Sequence, residues 1–412
     1  MNRIAPILIA LCLWVTPALA QTRTWIAGGS YNGYGAANPI SGTDFLYPYI
    51  VNFPNCFQTA LISAPIWDPN SVSLDYYVEA TNGATCAGGG APNPGQGIFV
   101  KLNQPHRAIG IVQLIALTGN ITSNVFINRL NDCTHQATTG VYRGCIDYAA
   151  QEIGTDNKIF SDVTGSGSKS VALPTDGSFH QNEWCYISGT NGSGTVPSKE
   201  SAWLDGTQYV NNATPGTSAP NIGGGNGVTV PDYELGGGGS LRQGLWAVYD
   251  SGAACPASAL GTMYGATAQP IGNGSHIDFT PNANANWQNA AAATPGSASY
   301  NADATAGAYD IYNMNLGTFS NILFVTQRAS VEKTAPGTRI AQLGWNISGT
   351  NYQCPWGNGY SLGGDTLGTY IANNLQIGTY QQIGCVSPTD PSTSSAWGSS
   401  ANASHVTATV IR

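Results

Sequence analysis

Hydrophobic positions in this chain recur with a period of two, in short runs separated by turn-forming residues. Ala60-Leu61-Ile62, Val72–Glu79, Gly97–Val100 and Leu245–Asp250 each read as a strand. Clusters of Gly, Asn and Pro lie between them, as in Cys86-Ala87-Gly88-Gly89-Gly90-Ala91-Pro92. Ile109–Leu117 is longer and almost wholly apolar, which predicts a central strand, although periodicity alone does not separate it from a buried helical turn. Lys158-Ile159-Phe160, Ser170–Leu173 and Trp184–Ile187 continue the pattern, and Ile322-Leu323-Phe324-Val325 extends it into the last third. The stretch Asn221–Gly244, with Gly223-Gly224-Gly225 and Gly236–Gly239, predicts a flexible crossing between strands; no Gly-Lys-Ser/Thr follows, so it is not a phosphate loop.

These patterns predict an all-β protein of two or three β-sandwich (jelly-roll-like) modules tied by disulfides. Residues 1–20 read as a signal peptide, with Arg3 before the apolar run Ile4–Val15 and Ala18-Leu19-Ala20 before Gln21. The expected divisions are an N-terminal sandwich (21–154), a middle β-rich region (155–268) separate from or continuous with it, and a C-terminal sandwich (269–412). No later segment has the ~20 apolar residues of a transmembrane helix.

Composition sharpens the picture. Only 9% of residues are charged, against 52 glycines and 20 tyrosines, so the surface must be wetted by amides, hydroxyls and backbone. The net charge of −8 and the scattered bases argue against nucleic acid as a partner, because phosphate would be repelled. After removal of the leader the cysteines are Cys56, Cys86, Cys133, Cys145, Cys185, Cys255, Cys354 and Cys385. An even number in an exported chain predicts four disulfides, and sequential pairing keeps each bridge within one module. No CxxC spacing occurs, so no zinc site is expected.

Candidate chemistry is sparse. His106, His135, His180, His276 and His405 are isolated in sequence, and no GxSxG elbow is present, so a Ser–His contact would have to be assembled by the fold. Asp75 and Glu79 stand four apart in a strand pattern, roughly 13 Å, beyond the spacing of glycosidase carboxylates. Aromatic loops are the main binding resource. Tyr31 and Tyr34 lie in a Gly-rich loop, and Trp356 and Tyr360 flank the hairpin signal Asn358-Gly359, so these four are the candidate ligand-binding residues. Trp287, Trp345 and Trp397 read as core. The run Trp345-Asn346-Ile347-Ser348-Gly349-Thr350-Asn351 nearly repeats Trp184–Asn191, as a duplicated module or as two strands ending in one kind of turn.

The order Asp310-Ile311-Tyr312-Asn313, Gly337-Thr338-Arg339, Ser348-Gly349-Thr350-Asn351-Tyr352, then Asp390-Pro391 and Ala396-Trp397 resembles a β-sandwich module of phage and prophage structural proteins and uncharacterised secreted bacterial proteins. That resemblance covers about the last third of the chain. With no catalytic constellation legible, the sequence predicts an exported, non-enzymatic structural, adhesive or assembly protein without cofactor or metal, working through self-association or an extracellular surface partner. The alternative is a carbohydrate-binding or carbohydrate-active secreted protein with a glycan partner.

Overall fold

A computed structural model describes residues 23–29, 50–52, 58–61, 76–81, 95–122, 124–132, 146–161, 169–189, 197–214, 225–234, 238–264, 269–291, 299–305, 307–314, 322–323, 325–332, 334, 343–353, 381–387, 389–397 and 408–409. The first fifteen strands build two antiparallel sheets. In chain order they are β1 (Thr24–Gly29), β2 (Ile50–Asn52), β3 (Gln58–Leu61), β4 (Tyr76–Thr81) and β5 (Gly95–His106). Next come β6 (Ala108–Thr118), β7 (Val125–Asp132), β8 (Ile146–Ile153), β9 (Lys158–Ser161) and β10 (Val171–Ala172). The set ends with β11 (His180–Ile187), β12 (Lys199–Leu204), β13 (Thr207–Ala213), β14 (Gly225–Glu234) and β15 (Ser240–Asp250).

One sheet has the order β13-β12-β11-β6-β15-β4-β3, with β1 as an eighth strand beside β15. The other has the order β10-β9-β8-β7-β14-β5-β2. Residues of the 21–154 and 155–268 stretches thus supply neighbouring strands in both sheets. The faces turned toward each other carry one core, with Ile111, Ile115, Trp184 and Trp246 from the eight-stranded sheet against Val125, Ile127, Ile153 and Val228 from the seven-stranded one.

Strand β6 shows why its sequence lost alternation. Its inner residues Ile109, Ile111 and Ile115 join the inter-sheet core, while Val112 and Leu114 join a second cluster on the outer face. That outer face is covered by the segment 251–264, which contributes Met263 and Leu260 and is tied down by the Cys185–Cys255 disulfide. A strand buried on both faces must be apolar at both parities. Among the described residues this is the only disulfide, and it joins two cysteines that sequential pairing puts together.

The stretch Asn221–Gly244, expected as one flexible loop, instead holds all of β14 and the start of β15, because both segments find ladder partners in the two sheets. Gly238 and Gly239 adopt φ of 70° and 71°, and a Cβ on Gly238 would stand 2.4 Å from the Asn120 carbonyl oxygen. Only glycine satisfies both demands.

Beyond residue 264 the described strands form small antiparallel sheets of two or three strands. The sheet that pairs Pro270–Ile277 with Asp310–Met314 is anchored by the Asp310 carboxylate, fully buried, which accepts from the Asp278 and Phe279 amides (both 2.9 Å), Asn286 Nδ2 (3.1 Å) and the Tyr312 hydroxyl (2.6 Å). Trp345 and Trp397 are buried as expected. Two expectations need correction. Trp287 is half-buried on a one-turn helix, Asn286–Ala290, whose buried positions are Asn286 and Asn289. The strand expected at Ile322–Val325 spans Val325–Val331, because its ladder partner is Gln381–Ser387.

Candidate functional site

The outer face of the seven-stranded sheet gathers polar side chains at its centre. On β7, Leu130 points into the core, so Arg129 and Asn131 on either side of it face outward. Register sets Arg129 opposite Thr229 and Ala150, and Asn131 opposite Gly227, which adds no side chain. A bulge between Phe126 and Asn128 shifts the alternation and brings Phe126 to the same side as Arg129. The Arg129 guanidinium then lies 4.1 Å from the Phe126 ring centroid. Glu152 of β8, opposite Phe126 in register, accepts a 3.1 Å hydrogen bond from Asn124 Nδ2. Arg129 is 7% exposed and Glu152 9%, so both charges sit in a largely dehydrated setting.

This face is held from behind. Gln151, the neighbour of Glu152, points inward, where its carbonyl accepts from Asn182 Nδ2 (2.7 Å) and Asn128 Nδ2 (3.0 Å) and its amide donates to Tyr209 Oη (2.8 Å). These four residues come from β8, β11, β7 and β13 and bolt one sheet to the other. Burial, followed by the negative field of Glu200, pushes the Tyr209 phenol far up, so it stays a neutral hydrogen-bonding group. Strand β8 therefore cannot roll, and Glu152 keeps its outward aim.

The outer face of the other sheet is closed. Glu183, 1% exposed, pairs with Arg23 (2.9 Å) and accepts from the Tyr249 hydroxyl (2.7 Å) and the Leu260 amide (2.6 Å) beneath the 251–264 segment. Burial and the Glu183 charge raise the Tyr249 phenol well above its usual range. Glu183 through the Leu260 amide and Arg23 through the Ser258 carbonyl hold the segment down, which makes the group a structural knot.

A third constellation lies where β11 begins. His180 Nδ1 is 2.6 Å from Asp205 Oδ2, and His180 Nε2 is 3.0 Å from Ser178 Oγ. The sequence hides this contact, because Asp205 is 25 residues from His180 and no motif surrounds Ser178. Arg129 and Glu152 were equally unmarked; their one signal is the polar interruption Asn128-Arg129 within the apolar stretch Val125–Leu130. Tyr31, Tyr34, Trp356 and Tyr360 lie outside the described residues, as do Cys56, Cys86, Cys133, Cys145 and Cys354. Among the described residues no three His, Cys, Asp or Glu side chains gather as metal ligands, and no helix is long and apolar enough to cross a membrane.

No family model and no curated protein matches the chain. Among solved structures it is similar to an endo-β-1,4-glucuronan lyase from the fungus Trichoderma reesei, at 12% identity and a TM-score of 0.36, over 57% of this chain and 100% of that one. It is also similar to an alginate lyase from Aplysia kurodai, at 9% identity and a TM-score of 0.34, over 52% of this chain and 97% of that one. A Trypanosoma rangeli sialidase mutant matches at 8% identity and a TM-score of 0.26, over 48% of this chain and 28% of that one. These neighbours overturn two expectations: the non-enzymatic structural, adhesive or assembly role and the absence of enzymatic activity. The names of these neighbours are those of two polysaccharide lyases and a sialidase.

Proposed function

We propose that this chain is an exported carbohydrate-active protein that engages a glycan on the outer face of its seven-stranded sheet. The observation that carries this reading is Arg129, strand-borne and stacked on Phe126, whose register partner is Glu152. Stacking restricts the guanidinium, so it loses little freedom on binding. A guanidinium reads vicinal sugar hydroxyls or a uronate carboxylate through paired N–H donors, and Glu152 accepts from a hydroxyl. Low exposure strengthens both contacts relative to water. Export inferred from residues 1–20, together with the Cys185–Cys255 disulfide, supports action outside the cytoplasm.

The test is calorimetric titration of the oxidised protein with glucuronan, alginate and neutral β-glucan oligosaccharides, alongside an ultraviolet assay for unsaturated uronate ends. Arg129→Ala should weaken binding by about tenfold or more, equivalent to ~1.4 kcal/mol, and Arg129→Lys should recover only part of it. Binding that is indifferent to Arg129→Ala would remove this face from consideration.

A further inference from the structure

The contact between Ser178 and His180 belongs to a three-residue relay independent of the glycan face. Asp205 occupies the turn between β12 and β13, with φ of 48° followed by Gly206 at 79°. Its Oδ1 accepts the Gln181 amide at 2.8 Å, and its own amide donates to the Gln181 carbonyl at 2.9 Å. The carboxylate is thereby pinned to the strand that carries His180. Its other oxygen, 2.6 Å from His180 Nδ1, holds the imidazole proton there and turns the Nε2 lone pair toward Ser178 Oγ, 3.0 Å away. Ser178 is exposed, so a substrate can reach its hydroxyl. Nucleophile, base and orienting acid thus stand within hydrogen-bond reach in the free protein, which is the geometric signature of an activated serine.

Asp176 competes for the same hydroxyl. Its Oδ1 lies 2.6 Å from Ser178 Oγ and also accepts the Ser178 amide at 2.9 Å. The hydroxyl hydrogen bond, then the amide one, hold the Asp176 carboxyl below its usual range, so it is an acceptor at neutral pH. On the other flank, a Cβ built on Gly177 would lie 3.5 Å from a guanidinium nitrogen of Arg242, which places positive charge beside the peptide preceding the serine.

We infer that Ser178, His180 and Asp205 form a nucleophilic relay that hydrolyses small carboxylic esters, with Asp176 as a restraint on the serine hydroxyl. Ser178 Oγ attacks the carbonyl carbon while its proton passes to His180 Nε2. The tetrahedral intermediate collapses with cleavage of the ester C–O bond, and the leaving alcohol takes the proton from Nε2. Water then attacks the acyl-serine, giving a proton to Nε2; the acyl–Oγ bond breaks, the carboxylic acid departs and Oγ recovers its proton.

The test is labelling of the intact, oxidised protein with an alkyl fluorophosphonate, which phosphonylates an activated serine with loss of fluoride, followed by peptide mass spectrometry and p-nitrophenyl acetate hydrolysis. The expected adduct is on Ser178, and Ser178→Ala should lose both adduct and hydrolysis. His180→Ala and Asp205→Asn should slow labelling by about a hundredfold. Asp176→Ala should speed it several-fold by freeing the hydroxyl, whereas a purely structural turn would gain nothing. Absence of the Ser178 adduct, or equal labelling of wild type and His180→Ala, overturns the relay. Slower labelling of Asp176→Ala overturns the restraint.

Discussion

Gly110 is the smallest residue with a large consequence. It stands in register between Cys185 and Tyr249, and a Cβ at this position would fall 2.0 Å from the Tyr249 ring. The ring has no room to retreat, because its hydroxyl is bonded to Glu183 and Trp25 packs edge-on against it at 5.5 Å. Gly110→Ala should therefore destabilise the fold on the order of 1–3 kcal/mol in urea unfolding. Asp250 gives a pH prediction. Burial alone would raise its pKa, but the hydrogen bonds from His106 and the Gly252 amide outweigh it and leave a net depression. Since the folded value lies below the unfolded value of about 3.9, its stabilisation is complete above that pH and is lost as pH falls through the folded value. The urea midpoint of Asp250→Asn should consequently decline less steeply below about pH 4 than that of wild type.

At the scale of elements, the sequence was most readable where a strand has one environment and least where residues meet through the fold. Ile109–Leu117 was legible as a central strand because burial on both faces leaves a continuous apolar run. The same feature concealed the 251–264 segment, whose covering role depends on Cys185 and Cys255 meeting across 70 residues. Local likeness misled in the paired Ile-Ser-Gly-Thr-Asn runs. Ser348 and Gly349, with φ of 51° and 85°, close a tight hairpin, whereas the Ser188 amide donates to the Arg107 carbonyl and the Gly189 amide to Ser198 Oγ. Identical residues therefore end two strands differently, since the neighbours decide. The Ser178–His180–Asp205 contact was unreadable for a related reason: β11 and a hairpin turn deliver its parts separately. Replacing Cys185 and Cys255 together with Ala should cost about 2–4 kcal/mol and lower the thermal midpoint, with the loss concentrated in protection of the 251–264 amides from hydrogen exchange.

At the scale of the molecule, two chemically distinct surfaces share one scaffold. The sheet bearing Arg129 and Glu152 is fixed against its partner by the Gln151, Asn182, Asn128 and Tyr209 network, so Gln151→Ala should disturb the glycan binding proposed for that face. The expected size is about 1–3 kcal/mol of stability, from the amides left without partners, read by denaturant unfolding beside calorimetry. The order of strands carries one more consequence. The last two strands of the sandwich occupy central places: β14 lies between β7 and β5, and β15 between β6 and β4. The seven-stranded sheet cannot close until β14 has arrived, nor the eight-stranded one until β15 has, however early the other strands were made. For a chain passed through a membrane from its N-terminus, the first two hundred residues would cross as an unclosed thread. They would emerge needing an escort, and a nascent chain halted short of β14 would leave both half-sheets open to proteolysis.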